Sequence, residues 1–222
     1  MSHMPLALIC DLTYFDICQI DDAALKAAGE VGLNGNSIAA PLVDAVGEVM
    51  VRVEPVTRQW AEALAGGDTV FTERFGIQVE DGWSGFPEAL PLILEASRRT
   101  GPNDWGPHLF FDADGALVGN GGWKGEPVDG AVELGYAVAP ARQGRGIATA
   151  VVNELVRRAR IAGMRTVVAH TLAQESASTT VLKRCGFTRL GELRDPVDGL
   201  VWRWELGLTG EGEPEESYAR PG

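Results

Sequence analysis

The sequence predicts one α/β domain built on a mixed sheet, in the order β-α-α-β-β-β-α-β-α-β-β, behind an N-terminal extension. Three observations predict it. Three short segments, "HLFFD", "ALVGNGGWK" and "AVELGYAV", are separated only by the turns "ADG" and "EPVDG", which reads as an antiparallel meander. A glycine-rich stretch then opens a segment of helical periodicity, followed by the nearly continuous apolar strand "RTVVAHT", of the kind buried beside helices. The chain of 222 residues and 23.7 kDa is long enough for one substantial core and short for two full domains.

The elements follow in order. "MVRVEP" alternates apolar and charged positions as a half-buried strand does. Thr57 caps the helical "RQWAEALA", which stops at Gly66 and Gly67. "FPEALPLILEASRR" starts a second helix, with proline and glutamate in its first turn and Arg98 and Arg99 in its last. Between them "ERFGIQVEDGWSGF" carries no clear period and reads as a loop bordering a pocket. After the meander, Ile147, Val151, Leu155, Ala159 and Ala162 recur at helical spacing until Gly163. A short helix through "SASTTVLKRC" is closed by Gly186. Two strands, "FTRLGELR" and "LVWRWEL", join through "DPVDG", with Leu200, Trp202, Trp204 and Leu206 on one core-facing side.

This organisation divides the chain into an extension over residues 1–49, a domain over 50–207 and an acidic tail over 208–222. The extension holds two short small-residue helical stretches and is too small for its own core. The tail "TGEGEPEESYARPG" has the composition of disorder.

Hydrophobic residues make up 45% and charged residues 23%, ordinary for a soluble globular protein. No apolar run has the length of a membrane span, and "MSHMPLALIC" lacks the layout of a signal peptide, so a cytoplasmic protein without membrane association is expected. The three cysteines, Cys10, Cys18 and Cys185, lack zinc-type spacing and read as reduced thiols; no metal is expected. The net charge of -12 repels polyphosphate backbones, which excludes nucleic acid, and favours a cationic partner such as an amine.

A strand ending in a glycine turn that opens a helix is an anion site, because the first helical N–H groups lack internal partners and the dipole is positive there. In "QGRGIA", Gly144 and Gly146 are followed by Thr149 where a dinucleotide fingerprint needs its third glycine, and no Lys-Ser or Lys-Thr pair follows as in a nucleotide-triphosphate loop. A plain tight turn is the structural alternative. The segment "VELGYAVAPARQGRGIATAVVNELVRRA" fits Q/R-x-x-G-x-G/A and resembles the acetyl-CoA-binding motif of the GNAT superfamily of acyl-CoA N-acyltransferases. The downstream "VVAHTLAQESASTTVLKRCGF" resembles that family's next strand and helix. The resemblance spans about residues 50 to 207, and the likeness is to the RimJ/RimL-type branch, which includes N-terminal acetyltransferases of ribosomal proteins.

The resemblance implies that backbone amides of Gln143, Gly144, Arg145, Gly146, Ile147, Ala148 and Thr149 hold the pyrophosphate of acetyl-CoA. A Cβ at Gly146 is expected to obstruct it. The resemblance also implies that pantetheine runs beside Tyr136, Ala137 and Val138, where the strand ending at Val138 parts from the strand around Val168. It places a base at Glu133 and, in the branch's manner, an acid at Ser178, since no tyrosine stands soon after Gly186 and Phe187. The alternatives are a solvated or ion-paired Glu133 and a Ser178 hydroxyl bonded to backbone. Trp83 and Phe86 are specificity candidates, and Trp105, His108 and Asn120 are further candidates for the acceptor pocket. His170, inside an apolar strand, reads as a hydrogen-bonded core histidine, and Cys185 as a packing residue rather than an acyl carrier.

The expected activity is direct transfer of acetyl from acetyl-CoA to a primary amine, a peptide or protein N-terminus. A small-molecule amine acceptor such as an antibiotic or polyamine, and a non-catalytic acyl-CoA-binding regulatory module, are the alternatives. A homodimer is left open.

Overall fold

Seven strands form a single sheet in the order β1-β2-β3-β4-β5-β7-β6. They are β1 (Arg52–Pro55), β2 (Pro107–Phe111), β3 (Leu117–Trp123), β4 (Ala131–Val138), β5 (Thr166–Leu172), β6 (Thr188–Asp195) and β7 (Gly199–Gly207). Every neighbouring pair is antiparallel except β4 with β5, which is parallel. The helices are α1 (Arg58–Ala65), α2 (Asp68–Phe75), α3 (Ile147–Ile161) and α4 (Ala177–Arg184). The computed structural model describes residues 49–85, 91, 94, 95, 97, 104–196 and 198–208. The N-terminal helical stretches, most of the helix over 86–99, Phe86 and the acidic tail lie outside the described residues.

The two faces of the sheet carry separate cores. On one face Phe110, Val118, Leu134, Ala169, Trp202 and Trp204 pack against Val151, Leu155 and Ala159 of α3 and Leu182 of α4. On the other, Leu109, Phe111 and Leu117 of β2 and β3 pack against Ala61, Leu64 and Phe71 of α1 and α2, with Trp83 and Leu94. The strand residues of this second core come from β2 and β3 alone. Alternation then sends Glu133, His170, Arg203 and Glu205 of β4, β5 and β7 to the second face, beyond the apolar cover. Burial of an aromatic such as Trp204 stabilises by about 2–3 kcal/mol. Its indole N–H is satisfied by Thr171 Oγ1 at 3.0 Å, so the burial leaves no polar atom unpaired there.

The meander, α3 and the closing hairpin follow the sequence reading closely. Thr57 caps α1, accepting from the Trp60 N–H at 3.1 Å. Residues 91, 94, 95 and 97 are helical, inside the segment where the second helix is predicted. Three expectations differ. The chain forms an additional helix, α2, which no sequence signal announces and whose last residues fall in the segment read as a loop: Asp68 suits its first turn, Gly76 ends it in the left-handed region, and Phe71, with Phe75 partly buried against it, anchors it in the core. Leu200 is exposed rather than core-facing, since it stands at the start of the β6–β7 hairpin opposite Arg194. Ala162 is also exposed, being the residue that ends α3.

Candidate active site

β4 and β5 pair only through Ala131↔Thr166, Val132↔Val167 and Glu133↔Val168. Beyond that point β4 continues against β3, from Leu134 to Val138, while β5 continues against β7 as far as Leu172. The two strands therefore part, leaving a slot between residues 134–138 and 169–172 into which alternate backbone groups of β4 point. Such an edge inside a sheet can accept an extended ligand as an added strand.

The glycine turn stands at the end of β4. A short 3-10 turn, Pro140–Arg142, leads into Gln143, Gly144 and Gly146, and the glycines have φ of 70° and 83°. Gly146 is the residue before α3 and makes no side-chain cap; no acidic residue occupies the helix's first turn. The first N–H groups of a 15-residue helix are thus offered to an anion without a competing carboxylate. The donor set and the glycine backbone fit a pyrophosphate. A Cβ built on Gly144 meets nothing within 4 Å, whereas one on Gly146 would stand 2.9 Å from Val49 Cγ2. The obstruction expected at Gly146 therefore falls on the segment before β1, and the open side of the turn is at Gly144. Gln143 does not reach outward: its amide nitrogen donates to the Val138 carbonyl at 2.9 Å and braces the turn against β4.

Sequence reasoning missed Arg142. Its guanidinium donates to Glu80 Oε2 at 2.6 Å and to Asp112 Oδ2 at 3.0 Å, joining the turn to the loop after α2 and to the β2–β3 turn. Those partners lie 62 and 30 residues away, and no local pattern announces them.

Glu133 does not stand alone. Lys124 Nζ lies 2.5 Å from its Oε1 and His170 Nδ1 lies 2.9 Å from the same atom. Burial alone would raise the pKa of this carboxyl, but the bonds from His170 and Lys124 outweigh that and hold it below the ordinary carboxylate value. Burial likewise lowers Lys124, offset in part by Glu133. Since an ionised carboxylate only accepts, the bond requires the proton of His170 on Nδ1. His170 Nε2 is then the ring's acceptor, and it is buried with no hydrogen-bond partner among the described residues.

Ser178 sits in the first turn of α4, 8% exposed, and its backbone carbonyl accepts from the Tyr136 hydroxyl at 3.4 Å. The helix start is fixed by Ser176 and Thr179, each side chain bonded to the other's backbone N–H. This gives Ser176 a capping role. Of the acceptor candidates, Trp83 is 2% exposed, packs in the second core and donates from its indole to Asp68 Oδ1 at 3.1 Å. Asn120 is buried and donates to the carbonyls of Trp83 at 2.9 Å and Ser84 at 2.8 Å, pinning that loop to β3. Trp105 packs on Trp123 over the α3 face, and His108 is buried and bonded to the Gly106 carbonyl at 2.9 Å. The structure does not bring these two to the face that bears Glu133. Phe86 lies outside the described residues. The Cys185 thiol is half-buried and its pKa is pushed up to about 11 by burial, which disfavours the thiolate an acyl carrier needs.

Among the described residues no helix is long and apolar enough to cross a membrane, and no group of three or more His, Cys, Asp or Glu could hold a metal ion.

Residues 69–188 match the family model of the acetyltransferase (GNAT) domain. No curated protein matches the sequence. Among solved structures, a spermidine N-acetyltransferase from Vibrio cholerae in complex with CoA and spermine is 14% identical, with a TM-score of 0.53 over 71% of this chain and 95% of that one. A ribosomal-protein-S5-alanine acetyltransferase from Vibrio fischeri is 16% identical, with a TM-score of 0.52 over 74% of this chain and 96% of that one. RimJ of Mycobacterium smegmatis in complex with CoA-disulfide is 22% identical, with a TM-score of 0.50 over 71% of this chain and 81% of that one. At these identities the likeness is one of fold. The family model covers more than half of the chain, which therefore belongs to the GNAT acetyltransferases, a family of acyl-CoA-dependent N-acetyltransferases.

Proposed function

We propose that this protein transfers an acetyl group from acetyl-CoA directly to the primary amine of a peptide or protein N-terminus. The observation that carries the reading is the alignment of the glycine turn with the open slot between β4 and β5. A pyrophosphate on the amides of residues 143–149 would send the pantetheine arm along Tyr136–Val138 and the thioester toward the point where the strands part. Glu133 stands at that point and serves deprotonation of the amine. Ser178, at the start of α4, supplies a proton to the departing sulfur. The amine must lose a proton to attack, and the thiolate leaves more readily when protonated.

The charges around Glu133 favour a single amine over a polycation. Its carboxylate is neutralised by Lys124, and Glu205 on the same face is bonded to Arg203. Among the described residues this face offers no unpaired carboxylate cluster with which to grip several ammonium groups at once. One of the similar structures is named a ribosomal-protein-S5-alanine acetyltransferase, which accords with a protein acceptor, and another a spermidine N-acetyltransferase, which is why polyamines belong in the test.

The test is mass spectrometry of products after incubation with acetyl-CoA and a mixed library of peptides, polyamines and aminoglycosides. Acetylated peptide N-termini are expected. Acetylated polyamine or antibiotic alone would move the protein to the small-amine class. Tight CoA binding without transfer to any amine would make it a non-catalytic module.

A further inference from the structure

The sequence reads His170 as a packing histidine, yet the fold gives its ring an unusual setting. Two residues beyond the last β4–β5 pair, it reaches back to the Glu133 carboxylate from the opposite strand. The bond is a side-chain link across the point where the slot opens. Its other nitrogen, Nε2, is buried without a hydrogen-bond partner. Buried polar atoms in folded proteins are almost always satisfied, so one left open calls for an explanation.

We infer that His170 is the catalytic base, its Nε2 taking the proton from the acceptor amine, and that Glu133 is its positioning residue. The inference rests on the acetyl transfer proposed above and reassigns the proton within it. The physical case has three parts. A carboxylate that already accepts from a lysine and an imidazole is a poor acceptor for a third proton. The imidazole, by contrast, has a lone pair on Nε2 that no described residue uses, open to a proton from the amine. And a carboxylate on Nδ1 fixes the tautomer so that the lone pair stands on Nε2, the same division of labour as in a Ser-His-Asp triad.

The step balances as follows. The neutral amine nitrogen forms a bond to the thioester carbonyl carbon and gives one proton to Nε2. The C–S bond breaks with its electron pair on sulfur, which takes a proton from the Ser178 hydroxyl. The imidazolium returns its proton to solvent, and solvent restores the serine. The charged groups around the ring are Glu133 from β4, with Lys124 of the β3–β4 turn bonded to it, and Arg203 and Glu205 from β7, with Asp195 at the end of β6 and Asp198 of the turn that follows acting on Lys124.

The experiment uses the full chain with the amine acceptor found in the library. For His170→Gln, kcat is expected to fall roughly 10²- to 10⁴-fold, the span of a lost general base. Acetyl-CoA affinity by calorimetry should stay within about threefold of wild type, as chemistry and cofactor binding are separate here. The acid limb of kcat/KM that does not belong to the acceptor amine should vanish. For His170→Gly, added imidazole should restore turnover. Thermal melting reports folding of each variant, and should the glycine variant fail to fold, the pH profile of His170→Gln decides. A His170→Gln enzyme with wild-type rate and acid limb overturns the inference while leaving the proposed function intact. A wild-type protein that acetylates no amine overturns both.

Discussion

Gly144 and Gly146 look interchangeable in "QGRGIA", and the fold assigns them different duties. Both are left-handed, so an alanine at either position costs about 1–2 kcal/mol in backbone strain. A new methyl at Gly146 also meets Val49 at a distance no real contact shows, whereas one at Gly144 enters open space on the side from which a ligand comes. Gly146→Ala is therefore expected to be the less stable variant in urea, and Gly144→Ala the one that loses more acetyl-CoA affinity, by roughly tenfold or more for a displaced anion contact worth over 1 kcal/mol. Urea midpoints and calorimetric titrations on the two variants read these effects separately. Equal stability with weaker binding at Gly146 would restore the simpler expectation that its Cβ blocks the phosphate.

The glycine turn is also an element, held from behind. Gln143 braces it on β4, and Arg142 ties it to Glu80 and Asp112. Asp112 is 10% exposed at its side chain, so removing the guanidinium leaves a nearly buried carboxylate without its cation, held by the backbone N–H groups of Asp114 and Ala116 on Oδ1. Arg142→Ala is expected to cost about 1–3 kcal/mol, the range for a lost hydrogen bond to a charged group. Because the displaced segment precedes the anion site, the KM for acetyl-CoA should rise with little change in kcat. A fall in kcat at unchanged KM would show that Arg142 acts on the chemistry instead. At this scale the sequence was partly transparent. The turn, α3 and the strands were legible because local dihedral needs and periodicity mark them: glycines at positive φ, a 3.6-residue apolar stripe, alternation along β4. Arg142 with Asp112 and His170 with Glu133 were not, since each pair is brought together by sheet order over 30 and 37 residues. The acceptor candidates suffered the same limit. Trp83 and Trp105 announce aromatic bulk, but only the sheet's two faces show that one is buried beside Asp68 and the other packs over α3.

Across the whole molecule, the two-faced core sets how stability depends on pH. His108 is buried on β2, and burial lowers its pKa from 6.5 to about 4. Folded chains then bind the proton only near pH 4, while unfolded chains bind it from about 6.5 downward. Between those values the unfolded state holds more protons, so stability is full above about pH 6.5 and falls as pH drops toward 4. The loss is roughly 3 kcal/mol at about 1.4 kcal/mol per pH unit. Carboxylates act lower down. Glu154 is held at about 2 by its bonds to Arg157 and Arg158, so its contribution is present above the ordinary glutamate value and is lost as pH falls from there toward 2. The first window can be read on its own by urea unfolding between pH 7 and 4, above most of the second. Wild type should lose stability across that range, and His108→Gln, whatever its stability at pH 7, should show a slope smaller by close to one proton between pH 6.5 and 4.5. An unchanged slope in the variant would mean that His108 is not the group whose protonation opens the core, and the α3 face would have to admit acid by another route.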